Sequence, residues 1–261
     1  MKVISIGTDR NLFMPESAVR ERIKEYGALF DELHIVVFSK RSLSHVPEQI
    51  SPTVWIYPTS SLVRWMYIRD AVSLCLRIIS KKGLEQKETV ITCQDPFETG
   101  LAGLRLKRKT RFPLHIQVHT DLLSPFFVQS SALNRLRVLI AKRVLKSSDA
   151  VRVVSVRIKK SLVQKGWVPS VLTVLPIFID QQKILDTPVT INLREKYPQF
   201  NFIILIAARF TKEKNISLAL EVLSKLVVQY PRVGLVIVGT GPQAQVLKSE
   251  AARLKLVRNV V

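Results

Sequence analysis

The chain has 261 residues, 47% of them hydrophobic, with 40 Lys and Arg against 20 Asp and Glu and a formal charge of +20. That apolar share excludes whole-chain disorder, and the length allows one or two domains whose cores need no disulfide staples. Cys75 and Cys93 each lie in an apolar run without CxxC spacing, which argues against a zinc site or a secreted framework and for a reducing, cytoplasmic setting. The opening MKVISIGTDRNLF lacks a signal-peptide pattern, and the apolar stretch from Leu62 to Ile79 is broken by Arg64, Arg69, Asp70 and Arg77, so no membrane span is expected.

In chain order, strands are predicted at Val3–Ile6, Leu33–Phe38, Val54–Tyr57, Thr89–Thr92, Leu114–His119, Ala150–Ser155 and Val171–Leu175. Most are near-continuously apolar, as strands covered on both faces are. Ser17–Phe30 places Val19, Ile23, Tyr26 and Phe30 at helical spacing, and strands alternating with such helices predict parallel βαβ units. A polar stretch from Gln181 to Asn192, containing Pro188, reads as a linker. The pattern then restarts with LREKYPQ, a strand at Phe202–Ala207, a helix at Asn215–Gln229, a strand at Gly234–Val238, a GTGP turn, a helix at Gln243–Leu254 and the start of a third strand at Val260. The expected organisation is a first domain over residues 1–180, a linker and entry helix over 181–200, and a partial second domain over 201–261.

Several residues could carry chemistry. His119 closes a strand in which His115, Gln117 and His119 share one face, and ligands of open α/β sheets bind beyond the carboxyl ends of strands, so His119 and Asp121 are candidates. A structural histidine is the equal alternative. Arg209 and Lys214 follow a buried strand and open a helix, where backbone N–H groups and the helix dipole favour a diphosphate; a solvated charged loop is the plainer reading. Gly239 and Gly241 lie in a second strand-to-helix turn that a tight bend alone explains. Gly7 ends the first strand without the GxGxxG spacing of a dinucleotide site, and no P-loop, GxSxG elbow or HExxH helix occurs. Between residues 98 and 165, fifteen Lys and Arg stand against Glu98, Asp121 and Asp149, twelve of the twenty net charges. DLLSPFFV beside the basic helix Leu133–Lys146 favours an anionic membrane surface over nucleic acid, and a generic basic face is the alternative.

Taken in order, VITCQDPFETGLAG, IQVHTD, SDAVRVVSVRIKKSL, VLPIFID, AARFTKEKNISLALEVL and VGLVIVGTGP resemble the GT-B retaining glycosyltransferases of family 4 over nearly the whole length. The resemblance implies two Rossmann-like domains with parallel sheets, the second incomplete in this chain, facing each other across a cleft. It also implies transfer of a hexosyl group with retention from a UDP- or GDP-linked sugar to a glycan or lipid-linked acceptor. His119 would approach the donor sugar as the catalytic histidine, Arg209 and Lys214 would hold the diphosphate, and Gly7 would let backbone N–H groups reach the distal phosphate. Gly239 and Gly241 would border the nucleotide, with Asp121 on the acceptor side. No metal or other cofactor is implied.

Three departures stand out. PIFID replaces the commoner PNGVD, so Phe178 must fit a turn usually given to glycine, and Gly7 stands alone where the family has a glycine pair. The family's paired-glutamate motif would fall beyond Val261, so the chain is expected to be a C-terminally truncated, poorly active form. The expected setting is cytoplasmic, peripheral on the inner membrane face, in cell-surface polysaccharide biosynthesis. The rival readings are a nucleotide-sugar epimerase of the same fold and a non-catalytic basic module binding nucleic acid or anionic polymer.

Overall fold

The structure is a computed structural model that describes residues 1–167 and 171–261. The chain divides into two compact units, Met1–Phe178 and Ile179–Val261.

The first unit is built on an eight-stranded sheet: β1 (Lys2–Gly7), β2 (Glu32–Val37), β3 (Glu48–Ser51), β4 (Val54–Pro58), β5 (Thr89–Cys93), β6 (Leu114–Val118), β7 (Ala150–Val153) and β8 (Val171–Val174). Its helices are α1 (Ala18–Gly27), α2 (Tyr67–Lys82), α3 (Glu98–Thr110), α4 (Pro125–Gln129), α5 (Ala132–Ser147) and α6 (Val156–Gln164). The strand order is β3-β4-β2-β1-β5-β6-β7-β8, parallel throughout except for β3 against β4. The order reverses between β1 and β5, which opens a crevice at their carboxyl ends, the usual place for a ligand in such sheets.

Alternation along the strands feeds two cores. Val3, Leu33, Ile35, Val37, Val54 and Ile56 pack with Leu12 and the α1 residues Val19 and Ile23. Ile4, Ile6, Ile91, Cys93, Leu114 and Ile116 pack with α2, α3 and α5 through side chains such as Val72, Cys75, Leu106 and Val144. Close helix approach has a sequence cause at Gly103, where a Cβ would lie 2.4 Å from Cys93 Sγ. Ser17, Ser131 and Ser155 cap α1, α5 and α6 by accepting hydrogen bonds from backbone N–H groups of the first turn.

Sequence periodicity does not show β3. Its EQIS segment has no apolar run and is held by antiparallel pairing to β4 and by Arg20 of α1, which is buried and ion-paired with Glu48. The strand predicted to end at His119 stops at Val118, which leaves His119 one residue past the ladder.

The second unit holds α7 (Gln181–Leu185), α8 (Leu193–Lys196), β9 (Phe202–Ala207), α9 (Ile216–Gln229), β10 (Val233–Val238) and α10 (Ala244–Arg253). The short α7 falls inside the stretch expected as linker. β9 and β10 pair in parallel, and Leu235 makes a parallel bridge to Val260. Ile216, Leu220 and Leu223 of α9 pack with Leu235, Leu247 and Leu256. Phe178 is 79% exposed with φ outside the left-handed region, so no glycine-type turn is required of it.

Candidate functional site

At the switch point, Gly7 ends β1 and the Gln94 side chain follows β5. A Cβ on Gly7 would lie 2.3 Å from Gln94 Oε1, and that oxygen accepts a hydrogen bond from the Thr8 N–H at 3.2 Å. The glycine is needed for this close approach, and Gln94 is a site residue that motif reading passes over.

Beside it runs a polar ladder across three strands. Parallel register sets Thr92 of β5 against His115 of β6, and Gln117 of β6 against Arg152 of β7. Arg152 donates to the backbone carbonyls of Leu175 and Pro176 at 3.1 and 3.2 Å and to Gln117 Oε1 at 3.4 Å. His119 Nε2 lies 3.2 Å from the same Oε1. Gln117 Nε2 donates to Thr92 Oγ1 at 3.3 Å, and Thr92 Oγ1 lies 2.9 Å from His115 Nδ1. Burial, then the Arg152 charge, holds both His115 and His119 below the ordinary imidazole range. His119 is therefore a neutral ring at neutral pH, placed at the exposed carboxyl end of β6. Asp121 turns to Arg157, 3.5 Å away, and is not bonded to His119.

His34, whose sequence context points to a structural role, is fully buried; it lies 3.2 Å from the Tyr57 hydroxyl and 2.8 Å from Glu32 and stacks on Trp55.

In the second unit, the loops after β9 and β10 are zipped together. Ala208 N–H donates to the Val238 carbonyl, Phe210 N–H to Thr240, and Gln243 N–H back to Phe210, at 2.9–3.0 Å. Such contact leaves no room for side chains: a Cβ on Gly239 would lie 1.9 Å from the Ala208 carbonyl oxygen, and one on Gly241 would lie 2.5 Å from that of Phe210. The two glycines thus fix the segment that carries Arg209. Arg209 is 78% exposed and 3.8 Å from Glu213, while Lys214 is exposed one turn further on. Asn215, in the left-handed region at φ 48°, precedes α9 without a side-chain cap; the Leu218 N–H donates to the Asn215 carbonyl at 3.2 Å, which leaves the Ile216 and Ser217 N–H groups for an acceptor. A hollow of about 410 Å³ includes Lys214 and Asn215 but is otherwise lined by apolar side chains such as Ile204, Leu218 and Val222.

The basic region keeps its charge when folded. Glu98, Asp121 and Asp149 pair with Arg137, Arg157 and Lys107, and the other twelve cations between residues 98 and 165 have no carboxylate partner among the described residues. On α4 and α5, Phe126, Leu133, Leu136 and Leu139 are exposed. Among the described residues, no helix is long and apolar enough to cross a membrane, and no group of three His, Cys, Asp or Glu is placed to hold a metal ion.

Residues 16–183 match the family model described as Glycosyltransferase Family 4. The chain belongs to that family. Residues 192–261 match the model described as Glycosyl transferases group 1. Among solved structures, sucrose-phosphate synthase from Thermosynechococcus elongatus is similar at 17% identity with a TM-score of 0.72, over 100% of this chain and 70% of that one. Anabaena HepE, solved with UDP and glucose, is similar at 18% identity and a TM-score of 0.64, over 100% of this chain and 68% of that one. The UDP-forming α,α-trehalose-phosphate synthase from Burkholderia xenovorans is similar at 14% identity and a TM-score of 0.64, covering 99% and 72%. Among curated proteins, none matches the chain by sequence. The likenesses fix the fold of this Family 4 member as GT-B, the first unit carrying the large, mainly parallel sheet.

Proposed function

We propose that this protein belongs to an enzyme that transfers a hexosyl group with retention from a UDP- or GDP-linked sugar to a glycan or lipid-linked acceptor. The carrying observation is the zipped loop pair of the second unit, which holds Arg209 and Lys214 beside an uncapped helix N-terminus. Cleavage of a nucleotide sugar builds negative charge on the departing diphosphate. Two fixed cations and open backbone N–H groups stabilise that charge more in the transition state than in the ground state, and they do so without a metal. The loop around Gly239 and Gly241 borders the nucleotide in this reading, and backbone at Gly7 meets the distal phosphate.

His119, held neutral, offers one ring nitrogen to a hydroxyl of the donor sugar, with Asp121 on the acceptor side. The unpaired cations of the first unit and the exposed leucines of α5 support an acceptor at the inner face of an anionic membrane, in cell-surface polysaccharide assembly. Saturation-transfer NMR with UDP and GDP tests donor binding, and product analysis with UDP- or GDP-hexose, with and without acceptor, tests transfer. Sugar interconversion that needs no acceptor would replace this reading with an epimerase.

A further inference from the structure

A second surface of the first unit stands apart from the residues above. Trp65 is 93% exposed, and Val46, Leu62, Val63 and Leu43 are 68, 63, 47 and 45% exposed. They lie on two loops, residues 40–46 after β2 and residues 60–66 after β4. Backbone pairing fastens the loops together: Lys40 bridges Ser61, and Arg41 N–H donates to the Ser61 carbonyl at 2.9 Å. Because β2 and β4 are parallel to β1 and β6, the loops sit at the same carboxyl end of the sheet as Gly7 and His119, with β2, β1 and β5 between β4 and β6. A side chain as exposed as Trp65 stands proud of the surface, where burial against water would otherwise favour folding it inward.

Cations outnumber carboxylates in the stretch that carries this tip. Lys40, Arg41, Arg64, Arg69 and Arg77 face only two carboxylates between residues 40 and 77, and Glu48 and Asp70 are already paired with Arg20 and Arg69. Behind Leu62 opens a polar hollow of about 260 Å³ whose lining includes Thr59, Ser60, Arg69, Asp70, Ser73 and Arg77; Asp70 holds Arg69 at 3.1 Å, and Arg77 has no carboxylate partner among the described residues. Apolar residues on a protruding tip, an interfacial tryptophan, a ring of cations and a polar hollow behind them match the layers of a lipid leaflet, acyl chain then anionic headgroup. A single-stranded nucleic acid would use the tryptophan and the cations but would leave four aliphatic side chains without a partner.

We propose that the paired loops 40–46 and 60–66 dock the protein on a bilayer containing anionic lipid, with Trp65 and Leu62 entering the interface and a headgroup phosphate against Arg77. This rests on the acceptor reading for its purpose, since it would bring a lipid-borne acceptor to the end of the sheet that carries His119. The test reads vesicle binding alone, so a failure of sugar transfer would leave it standing.

The full chain is sedimented with vesicles of phosphatidylcholine, with or without phosphatidylglycerol. Its tryptophan emission is followed with bromine-labelled acyl chains as quencher. Binding only to the anionic vesicles is expected, with quenching that disappears in Trp65→Ala. Affinity should fall by about tenfold in Trp65→Ala combined with Leu62→Ala. Both positions are exposed, so these variants keep the wild-type thermal melt. Three results would overturn the proposal: binding to neither vesicle; unchanged binding in the double variant with loss in Leu136→Glu/Leu139→Glu, which would assign the bilayer to α5; or loss of oligonucleotide binding in Trp65→Ala with vesicle binding intact.

Discussion

Arg152 and His119 meet through one shared atom, the side-chain oxygen of Gln117, 3.4 Å from the guanidinium and 3.2 Å from Nε2. Arginine can only donate, so the amide must turn its oxygen toward it, and that oxygen can only accept, so His119 Nε2 carries the hydrogen. The chain runs on: Gln117 donates to Thr92, whose hydroxyl oxygen lies 2.9 Å from His115 Nδ1. His119 is held as the Nε2–H tautomer, and its Nδ1 is left as an acceptor.

Arg152→Met should therefore raise the titration midpoint of His119 toward its ordinary value, because a nearby positive charge is removed. Nitrogen-15 NMR of the histidine rings reads both tautomer and midpoint. The expected result is an Nε2–H ring at His119 in the wild type and mixed tautomers in the variant; an Nδ1–H ring at His119 in the wild type contradicts it.

Gly239→Ala should loosen the platform under Arg209. Its new Cβ collides with the Ala208 carbonyl, and overpacking of this kind costs about 1–3 kcal/mol. Hydrogen exchange should quicken at the Ala208 and Phe210 amides, which donate across the two loops, and nucleotide binding should weaken with it. Unaltered exchange at both amides would show that the loops are not zipped.

Acid should destabilise the first unit through His34. Burial pushes its pKa below the ordinary 6.5, against the opposing pull of Glu32 and with small help from Lys82 and Lys2. The unfolded chain thus takes up a proton that the folded chain refuses, so the contribution is complete above 6.5 and shrinks as pH falls below it. His115 and His119 act in the same direction. Urea unfolding at about pH 7.5 and about pH 5.5 should show the loss, and His34→Gln should flatten it. A slope unchanged in His34→Gln would assign the effect elsewhere.

Neither thiol should react in the native protein. Cys75 and Cys93 are free and fully buried; burial pushes Cys75 up to about 12 and Cys93 well above its usual value. A thiol reagent should report no fast cysteine before denaturation and two afterwards. A fast native reaction would mean that the α2–α3 core opens readily.

Buried parallel strands were legible in the sequence because apolar runs such as LVIV and alternations such as LHIQV need no tertiary knowledge to be read. The EQIS strand was not, since an edge strand stabilised by Arg20 and a neighbour's backbone carries no such pattern. His119, Arg209, Lys214 and the glycines stood out by position after a strand. Gln94, Gln117 and Arg152 did not, because their roles arise from strand register and from one side chain filling another's space, and neither is written in local spacing. The expectation of a special turn at Phe178 followed from motif comparison, whereas the backbone there adopts no left-handed conformation.

The central claim is that the loops after β9 and β10 hold a nucleotide diphosphate. Calorimetric or NMR titration of UDP and GDP into the wild type, Arg209→Ala and Lys214→Ala tests it most directly. Each substitution should weaken binding of one of these nucleotides by about 1.5–3 kcal/mol, the worth of a charge-assisted hydrogen bond. Equal affinity in all three proteins would contradict the account.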